Sequence, residues 1–195
     1  AVGVAGTFSF FPAKNLFGLG DGGLVSTNDP GIAERIRLLR FHGSRDKELF
    51  EEIGMNSRLD EIQAAALRLF LDHLDGWNSA RRSAAARYAE LGLGELCELP
   101  ADEPGHVYHM YVVRSPERDR IAAALRAADI GCATYYTTPL HLQPVYTGLG
   151  HRPGSLPETE RAARETIALP LWAGSVVHDT IETFLPTSAF TSVDF

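Results

Sequence analysis

The feature that most constrains the fold is a glycine-rich turn between two short β-prone segments. The first segment, 6–11, is short and aromatic, and the second, 24–27, reads Leu-Val-Ser-Thr. The turn at 12–23 ends in a run of glycines from Gly18 to Gly23. A dinucleotide-binding fingerprint needs a helix after its glycines, whereas a strand follows here, so that fold is excluded. The glycines more plausibly let the backbone approach a bulky ligand or adopt positive φ in a tight turn.

A first helix is predicted after the second strand. Asp29 and Pro30 form a favourable N-cap and first helical position, and apolar residues recur at helical spacing until Gly43. The charged segment 44–55 that follows is predicted to be a surface loop.

The strongest periodicity lies in the middle of the chain. Ser57 and Asp60 form a variant of the capping box, and one apolar stripe follows it. The members of the stripe are Leu59, Ile62, Ala66, Leu69, Phe70, Leu74 and Trp77. We predict a long helix that starts at the box and continues to about Leu91, with a domain boundary near Gly76.

The second half of the chain is predicted to mix strands and helices, without internal repeats. The predicted elements are a strand at 107–114, a helix at 115–131, an extended segment at 133–136, an irregular loop at 139–149, and helices at 157–166 and 176–184. The closing residues, 185–195, show little pattern.

Composition and charge restrict the class of protein. A length of 195 residues with 45% hydrophobic residues predicts a soluble globular protein. The net charge is -7 and the basic residues are dispersed, so no nucleic-acid partner is expected. No leader pattern or membrane-length apolar run is visible, and we expect a cytoplasmic protein without a membrane partner. Cys97 and Cys132 have no metal-ligand spacing and fit a reducing compartment.

Lys14 is the first candidate for chemistry, because the chain contains only one other lysine, Lys47. It follows an apolar strand and precedes the glycines, so it should be partly removed from water. Burial disfavours the charged form of an amine and supplies the neutral form that attacks an aldehyde. The alternative is a lysine that reaches out to solvent from a strand end.

A set of short motifs in a fixed order runs through most of the chain. The motifs are 8–15 (Phe-Ser-Phe-Phe-Pro-Ala-Lys-Asn), 20–23 with 27–29, 40–43 (Arg-Phe-His-Gly), 54–65, 77–78 with 81–82, 106–113 and 139–141 (Pro-Leu-His). In this order and spacing the chain resembles the DegT/StrS family of nucleotide-sugar aminotransferases, which are fold-type-I pyridoxal-phosphate enzymes.

The resemblance implies an α/β chain with the fold of type-I pyridoxal-phosphate transferases. Residues 1–76 would be the end of the large sheet domain that binds the cofactor, and residues 77–195 a smaller α+β C-terminal domain. The implied reaction moves an amino group from an amino acid, usually glutamate, to a keto nucleotide-sugar. The implied assembly is a homodimer with shared active sites.

The resemblance also implies roles for individual residues. Lys14 would hold pyridoxal 5'-phosphate as a Schiff base and move a proton during the reaction. Ser9 would donate a hydrogen bond to the cofactor phosphate, although a strand serine bonded to backbone is the plain alternative. Asn56 would reach the phosphate of the neighbouring subunit's cofactor, and its place just before a predicted helix suits an anion or a simple N-cap.

The histidines receive weaker assignments. His106 and His109 are predicted to lie on one strand, and residues three apart on a strand point to opposite faces, so no metal site is expected there. By resemblance His109 would face the sugar nucleotide, and the alternative is a half-buried, hydrogen-bonded histidine. His42, Tyr136 and His141 lie in family-like motifs without a separate mechanism.

Two departures from the family pattern and two rival functions accompany this interpretation. The half that precedes the lysine motif in the family is not among these 195 residues, so we expect this piece alone to be inactive. Thr137 follows Tyr136 where the family usually has Tyr-Pro. A pyridoxal-phosphate sugar dehydratase would carry histidine in place of Lys14. The other rival is a non-catalytic fragment or a regulatory protein on the same fold.

Overall fold

A computed structural model describes residues 2–171 of the chain. The chain divides between Trp77 and Asn78 into two compact units. The roles predicted for residues 1–76 and 77–195 stay predictions, and each unit is described by itself. The helix predicted at 176–184 and the closing residues 185–195 lie outside the described residues.

The first unit begins with a two-stranded antiparallel sheet. Strand β1 (Ala5–Ser9) pairs with strand β2 (Gly23–Thr27), and Ser9 stands opposite Gly23. The helix α1 (Pro30–Arg40) follows, and Asp29 caps it by accepting from the amides of Gly31 and Ile32. Both predicted strands and the Asp29 cap are therefore confirmed, with boundaries shifted by a residue or two.

The long helix predicted from Ser57 is wrong at its start and in its continuity. The structure has two helices, α2 (Glu61–Leu71) and α3 (Leu74–Glu90). The amide of Ser57 instead donates to the carbonyl of Arg40 at 2.9 Å, and Asn56 forms a β-bridge with Phe41. Because this pairing holds residues 56–57 in an extended segment, the helix starts only after Asp60.

The second unit is built on another two-stranded antiparallel sheet. Strand β3 (Tyr111–Arg114) pairs with strand β4 (Thr166–Leu169). Alternate side chains of β4 are buried, Ile167 and Leu169 among them. Sequence reasoning missed β4, although this alternation of apolar residues is the usual signal of a half-buried strand.

Helices α3 and α4 (Arg118–Ala127) bury one face each in the core of the second unit. Tyr88 of α3 and Leu125 of α4 are completely buried, and Tyr88 stacks on Tyr111 at 4.9 Å between ring centroids. Apolar burial of this kind stabilises a fold by about 25 cal/mol for each Å² removed from water. The second unit therefore has a core of its own.

The strand predicted at 107–114 is confirmed only from Tyr111 onward. Tyr108 has a φ of 41°, which is outside the strand region, and its amide donates to Nδ1 of His106 at 2.9 Å. His106 and His109 therefore lie in a loop before β3, so the prediction that they occupy opposite faces of one strand is wrong. Among the described residues, no cluster of three or more His, Cys, Asp or Glu side chains is arranged to hold a metal ion.

The other predicted elements differ mainly in length. Helix α4 is shorter than 115–131, because the Ser115 hydroxyl accepts from the amide of Glu117 and Asp129 adopts a positive φ of 58°. In the predicted extended segment 133–136, Ala133 forms a bridge to Ala168. The predicted irregular loop 139–149 contains two 3₁₀ helices, Leu140–Leu142 and Pro144–Leu149, and a third spans Leu93–Glu95. The helix α5 (Pro157–Glu165) is confirmed.

Both cysteines are free thiols, with Cys97 buried and Cys132 half-buried. Burial raises the pKa of the Cys97 thiol. None of the helices within residues 2–171 has the length and apolarity that crossing a membrane requires.

The two aspartates before α1 and α2 allow a matched test of helix capping. Asp29→Ala should lower the free energy of unfolding by about 1 kcal/mol, because two amides lose their acceptor. Asp60→Ala should cost only about 0.3 kcal/mol, because Asp60 makes no side-chain cap bond and contributes only through the helix dipole. Urea unfolding followed by circular dichroism measures both, and equal losses would contradict the capping assignment.

Candidate active site

Lys14 lies in the loop that joins β1 to β2, residues 10–22, which we call the lysine loop. Its side chain is half-buried, and its amide donates to the carbonyl of Phe11 at 2.8 Å, which closes a tight turn just after the strand. Ser9 ends β1 and is exposed. Its hydroxyl oxygen accepts from the amide of Phe11 at 3.3 Å, so its hydrogen remains to be donated.

The lysine loop is closed at its base and packed along one side. Phe10 donates to the carbonyl of Gly22 at 2.8 Å, and Gly18 donates to the carbonyl of Phe10 at 2.7 Å. Phe17 packs against two aromatic rings, Phe70 at 4.8 Å and Trp77 at 5.6 Å between centroids. Aromatic pairs at such distances are favourable. The backbone that carries Lys14 is thus held by the first unit's own core.

Gln63 is a functional candidate to which the sequence analysis gave no role. It lies in the first turn of α2, and its Oε1 accepts from the amide of Leu19 in the lysine loop at 2.7 Å. Gln63 belongs to the 54–65 motif, and it follows Ile62 of the apolar stripe. That position was the available signal, but nothing local says which loop such a side chain reaches.

Asn56 is exposed and orients its amide through Arg58. Nε of Arg58 donates to Oδ1 of Asn56 at 2.9 Å. Because an arginine Nε–H can only donate, this contact identifies the oxygen, and the NH₂ group points the other way. The guanidinium of Arg58 lies over the ring of Phe41 at 5.7 Å. Asn56 is separated from the start of α2 by the segment 57–60, so the expectation that it directly precedes a helix is wrong.

A cavity of about 1100 Å³ opens in the first unit beside Asn56. Its lining includes Thr7 and Phe8 of β1, Arg37 and Arg40 of α1, and Asn56 with Arg58. Ser9 and Lys14 are not among the lining residues. Asp21 and Gly22, at the end of the lysine loop, do line it, so Asn56 shares the cavity with that end of the loop but not with Ser9 or Lys14.

His109 belongs to the second unit, where Arg81 supports the loop that carries it. Nη1 of Arg81 donates to the carbonyls of Tyr108 at 3.1 Å and His109 at 3.4 Å. The phenol of Tyr108 donates to Asp102 at 3.1 Å, and burial together with that carboxylate raises the pKa of the Tyr108 phenol. His109 itself is half-buried.

The other three residues flagged by the motifs have separate surroundings. His42 has a positive φ of 66°, and its amide donates to the carbonyl of Met55. Tyr136 is exposed. His141 is buried, and its Nε2 lies 3.2 Å from Oε1 of Glu160. This hydrogen bond lowers the pKa of the Glu160 carboxyl, against an opposing effect of burial.

Comparisons with known proteins place these features in context. Residues 1–182 match the model of the DegT/DnrJ/EryC1/StrS aminotransferase family. The chain is 47% identical over 176 residues to the "Pleiotropic regulatory protein" of Geobacillus stearothermophilus, covering 88% of this chain and 47% of that protein. It is 46% identical over 169 residues to dTDP-3-amino-3,4,6-trideoxy-alpha-D-glucose transaminase of Streptomyces venezuelae, covering 84% and 44% respectively.

A solved structure shows the same likeness in three dimensions. The crystal structure of S. venezuelae DesV in complex with a ketimine intermediate matches with a TM-score of 0.87 and 41% identity, over 98% of this chain and 53% of that chain. The predicted fold class is thereby confirmed. The chain spans about half the length of the curated relatives it matches.

The His141–Glu160 contact predicts a specific dependence on acid. A carboxyl whose pKa is lowered by folding contributes stability above its ordinary pKa, and the contribution is lost as the pH falls through the lowered value. Glu160→Gln should therefore reduce the loss of stability between about pH 5 and pH 3. Urea midpoints across this range measure it, and Glu95→Gln, at an exposed position of the same unit, is the control. Equal slopes for wild type and Glu160→Gln would contradict the assignment.

Proposed function

Because this chain belongs to the DegT/DnrJ/EryC1/StrS aminotransferase family, we propose that the protein is a transaminase that uses pyridoxal 5'-phosphate. It moves an amino group from an amino acid, with glutamate as the family's usual donor, to the keto group of a nucleotide-sugar. The observation that carries the proposal is Lys14, half-buried in a loop that the core of its own unit holds in place.

The side chains present suit both ends of the cofactor. Lys14 supplies an amine for the aldehyde, Ser9 has a hydroxyl hydrogen to donate, and Asn56 presents an NH₂ group because Arg58 occupies its oxygen. Phosphate oxygens are acceptors, so these two donors fit a phosphate.

Lys14 performs two tasks in the proposed reaction. Its Nζ holds the cofactor covalently until the amino-acid donor displaces it. Once displaced, Lys14 would take the proton from the donor α-carbon and pass it on to C4' of the bound cofactor. When bound, the cofactor supplies the electron sink that makes this proton removable.

The proposed active site is shared between two copies of the chain. Ser9 and Lys14 serve the cofactor of their own subunit, whereas Asn56 lines a cavity that Ser9 and Lys14 do not line and serves the phosphate of the neighbouring subunit's cofactor. A homodimer is the assembly that this arrangement requires. We assign residues 1–76 to the large cofactor-binding domain and 77–195 to the small C-terminal domain.

His109 contacts the sugar nucleotide in this proposal. Arg81 donates to the carbonyl groups of the peptides before and after His109, which limits the directions that the imidazole can take. We place the enzyme in the cytoplasm, in the synthesis of sugars for polysaccharides or antibiotics. Its partners are small molecules, and the net charge of -7 favours them over nucleic acid.

A second candidate function is a regulatory or interaction protein that keeps the fold without catalysis. The name of the Geobacillus stearothermophilus relative, "Pleiotropic regulatory protein", is the observation that favours it. A protein of this kind has no need to retain lysine at position 14. The sugar dehydratase alternative is disfavoured, because the resemblance gives that enzyme a histidine there.

Substitution of Lys14 separates these functions. Lys14→Ala or Lys14→Arg in the complete polypeptide should abolish both the absorbance of the lysine-bound cofactor and transamination of keto nucleotide-sugars. Lys47→Arg, at the chain's other lysine, should leave both unchanged, because Lys47 is exposed. Retention of absorbance and turnover in Lys14→Ala would disprove the assignment.

Mixing of two inactive variants tests the shared site. Lys14→Ala and Asn56→Ala subunits, unfolded and reassembled together, should recover about a quarter of wild-type activity, because half of the dimers are mixed and each contains one intact site. Each variant reassembled alone is the control and should stay inactive or weakly active. Activity in the mixture that only equals the average of the two controls would contradict a site built from two subunits.

A further inference from the structure

The side-chain amide of Gln63 lies close to the glycines of the lysine loop. Its Oε1 accepts from the amide of Leu19 at 2.7 Å. A Cβ atom added at Gly18 would lie 3.0 Å from Oε1, and one added at Gly20 would lie 2.9 Å from Nε2. A Cβ atom at either glycine would crowd the side-chain amide of Gln63, and at Gly18 it would also lie 2.9 Å from the backbone carbonyl oxygen of Gly20.

The contact is transmitted to Lys14 through the backbone. Gly18, the neighbour of Leu19, donates to the carbonyl of Phe10 at 2.7 Å, and Lys14 donates to the carbonyl of Phe11 at 2.8 Å. The turn that carries the lysine is thus attached to the same short stretch of backbone that Gln63 holds. Movement at Leu19 would shift the base of this turn.

Phe17 supplies a second anchor, but one of a different kind. Its ring packs between Phe70 and Trp77 without a directional bond. An aromatic contact tolerates small sliding and rotation, whereas a hydrogen bond at 2.7 Å fixes one distance and one direction. The orientation of the lysine loop relative to α2 therefore depends more on the hydrogen bond from Leu19 to Gln63 than on the aromatic contacts of Phe17.

A neutral amide suits this half-buried position. Leu19 itself is exposed, so the bond to Oε1 of Gln63 orients its amide and does not rescue a buried donor. Glutamine provides that oxygen without bringing a carboxylate charge next to the loop that carries the proposed catalytic amine. An apolar side chain of the same size, such as leucine, would fill the space and leave the amide of Leu19 without its bond.

We propose that Gln63 is a positioning residue for Lys14. By holding the amide of Leu19, it sets the lysine loop in the geometry in which the Lys14 amine meets the cofactor aldehyde. Gln63 does not touch the cofactor. The inference rests on the cofactor role proposed above for Lys14. It adds that a residue of another element, α2, positions that lysine.

Two substitutions at Gln63 in the complete polypeptide test the proposal. Gln63→Leu removes the acceptor, whereas Gln63→Glu retains an oxygen for the amide of Leu19. In the cofactor-free protein, Gln63→Leu should speed hydrogen exchange at Leu19 by about tenfold, the effect of one lost hydrogen bond. Loading with pyridoxal 5'-phosphate, followed by absorbance, should slow by about tenfold because the amine is misplaced. Gln63→Glu should restore most of both, and Gln143→Leu, which removes a surface amide bonded to Thr138, should change neither.

Three results would overturn the proposal. Unchanged exchange at Leu19 in Gln63→Leu would show that the contact does not hold the loop. Faster exchange with unchanged loading would make Gln63 a structural residue only. Normal loading of Lys14→Ala would disprove the function of Lys14 itself, and Leu19 exchange in Gln63→Leu would still report separately whether Gln63 anchors the loop.

A second pair of variants keeps the test decisive if Gln63→Leu does not fold. Gly20→Ala places a methyl group against Nε2 of Gln63, and a flexible side chain can yield to it. Exchange at Leu19 and cofactor loading should change in the same directions as in Gln63→Leu, but less. Gly131→Ala, where a Cβ atom meets nothing within 4 Å, is the control. Equal behaviour of the two alanine variants would overturn the proposal.

Discussion

The antiparallel pairing of β1 with β2 is the constraint from which the candidate site follows. Because Ser9 stands opposite Gly23, the intervening chain must leave the sheet and return to it at the same place. That excursion is the lysine loop, and its ends are closed by the bonds between Phe10, Gly18 and Gly22. Helix α2 anchors this closed loop at two points. Because the ends of the loop are already held together, fixing the loop in one position costs little further conformational entropy.

The anchors restrict the movement of the connecting loop that carries Lys14, the lysine proposed here to be catalytic. Loops are usually the more mobile parts of a protein, and catalytic groups on them are positioned by a rigid scaffold. Here the scaffold is α2 with its neighbour Trp77, which contributes an aromatic pocket for Phe17 and the amide of Gln63. The first unit thus anchors the lysine loop with residues of its own, whereas Asn56 lines a cavity that Ser9 and Lys14 do not line and suits the cofactor of a second subunit in the function proposed here.

In each of the two units, an arginine orients the polar groups of a candidate site residue. Arg58 fixes the amide of Asn56 by occupying its oxygen, and Arg81 fixes the peptide before and after His109 by binding two carbonyls. In each case an arginine that can only donate decides which way its neighbour faces. The Arg81 contact joins segments 27 residues apart, which the motifs do not indicate, whereas Arg58 and Asn56 are two residues apart within one motif.

The sequence by itself determined the local elements whose signals are local. The Asp29 cap, strands β1 and β2 and helix α5 depend on neighbouring residues, and the motif order indicated the family and the role expected of Lys14. Tertiary structure alone decided where α2 begins, since the pairing of Asn56 with Phe41 overrides the capping pattern at Ser57. It also decided that His109 lies in a loop, because Tyr108 adopts a positive φ, and that Gln63 meets the lysine loop. These outcomes depend on contacts between segments distant along the chain, which local propensity and periodicity do not specify.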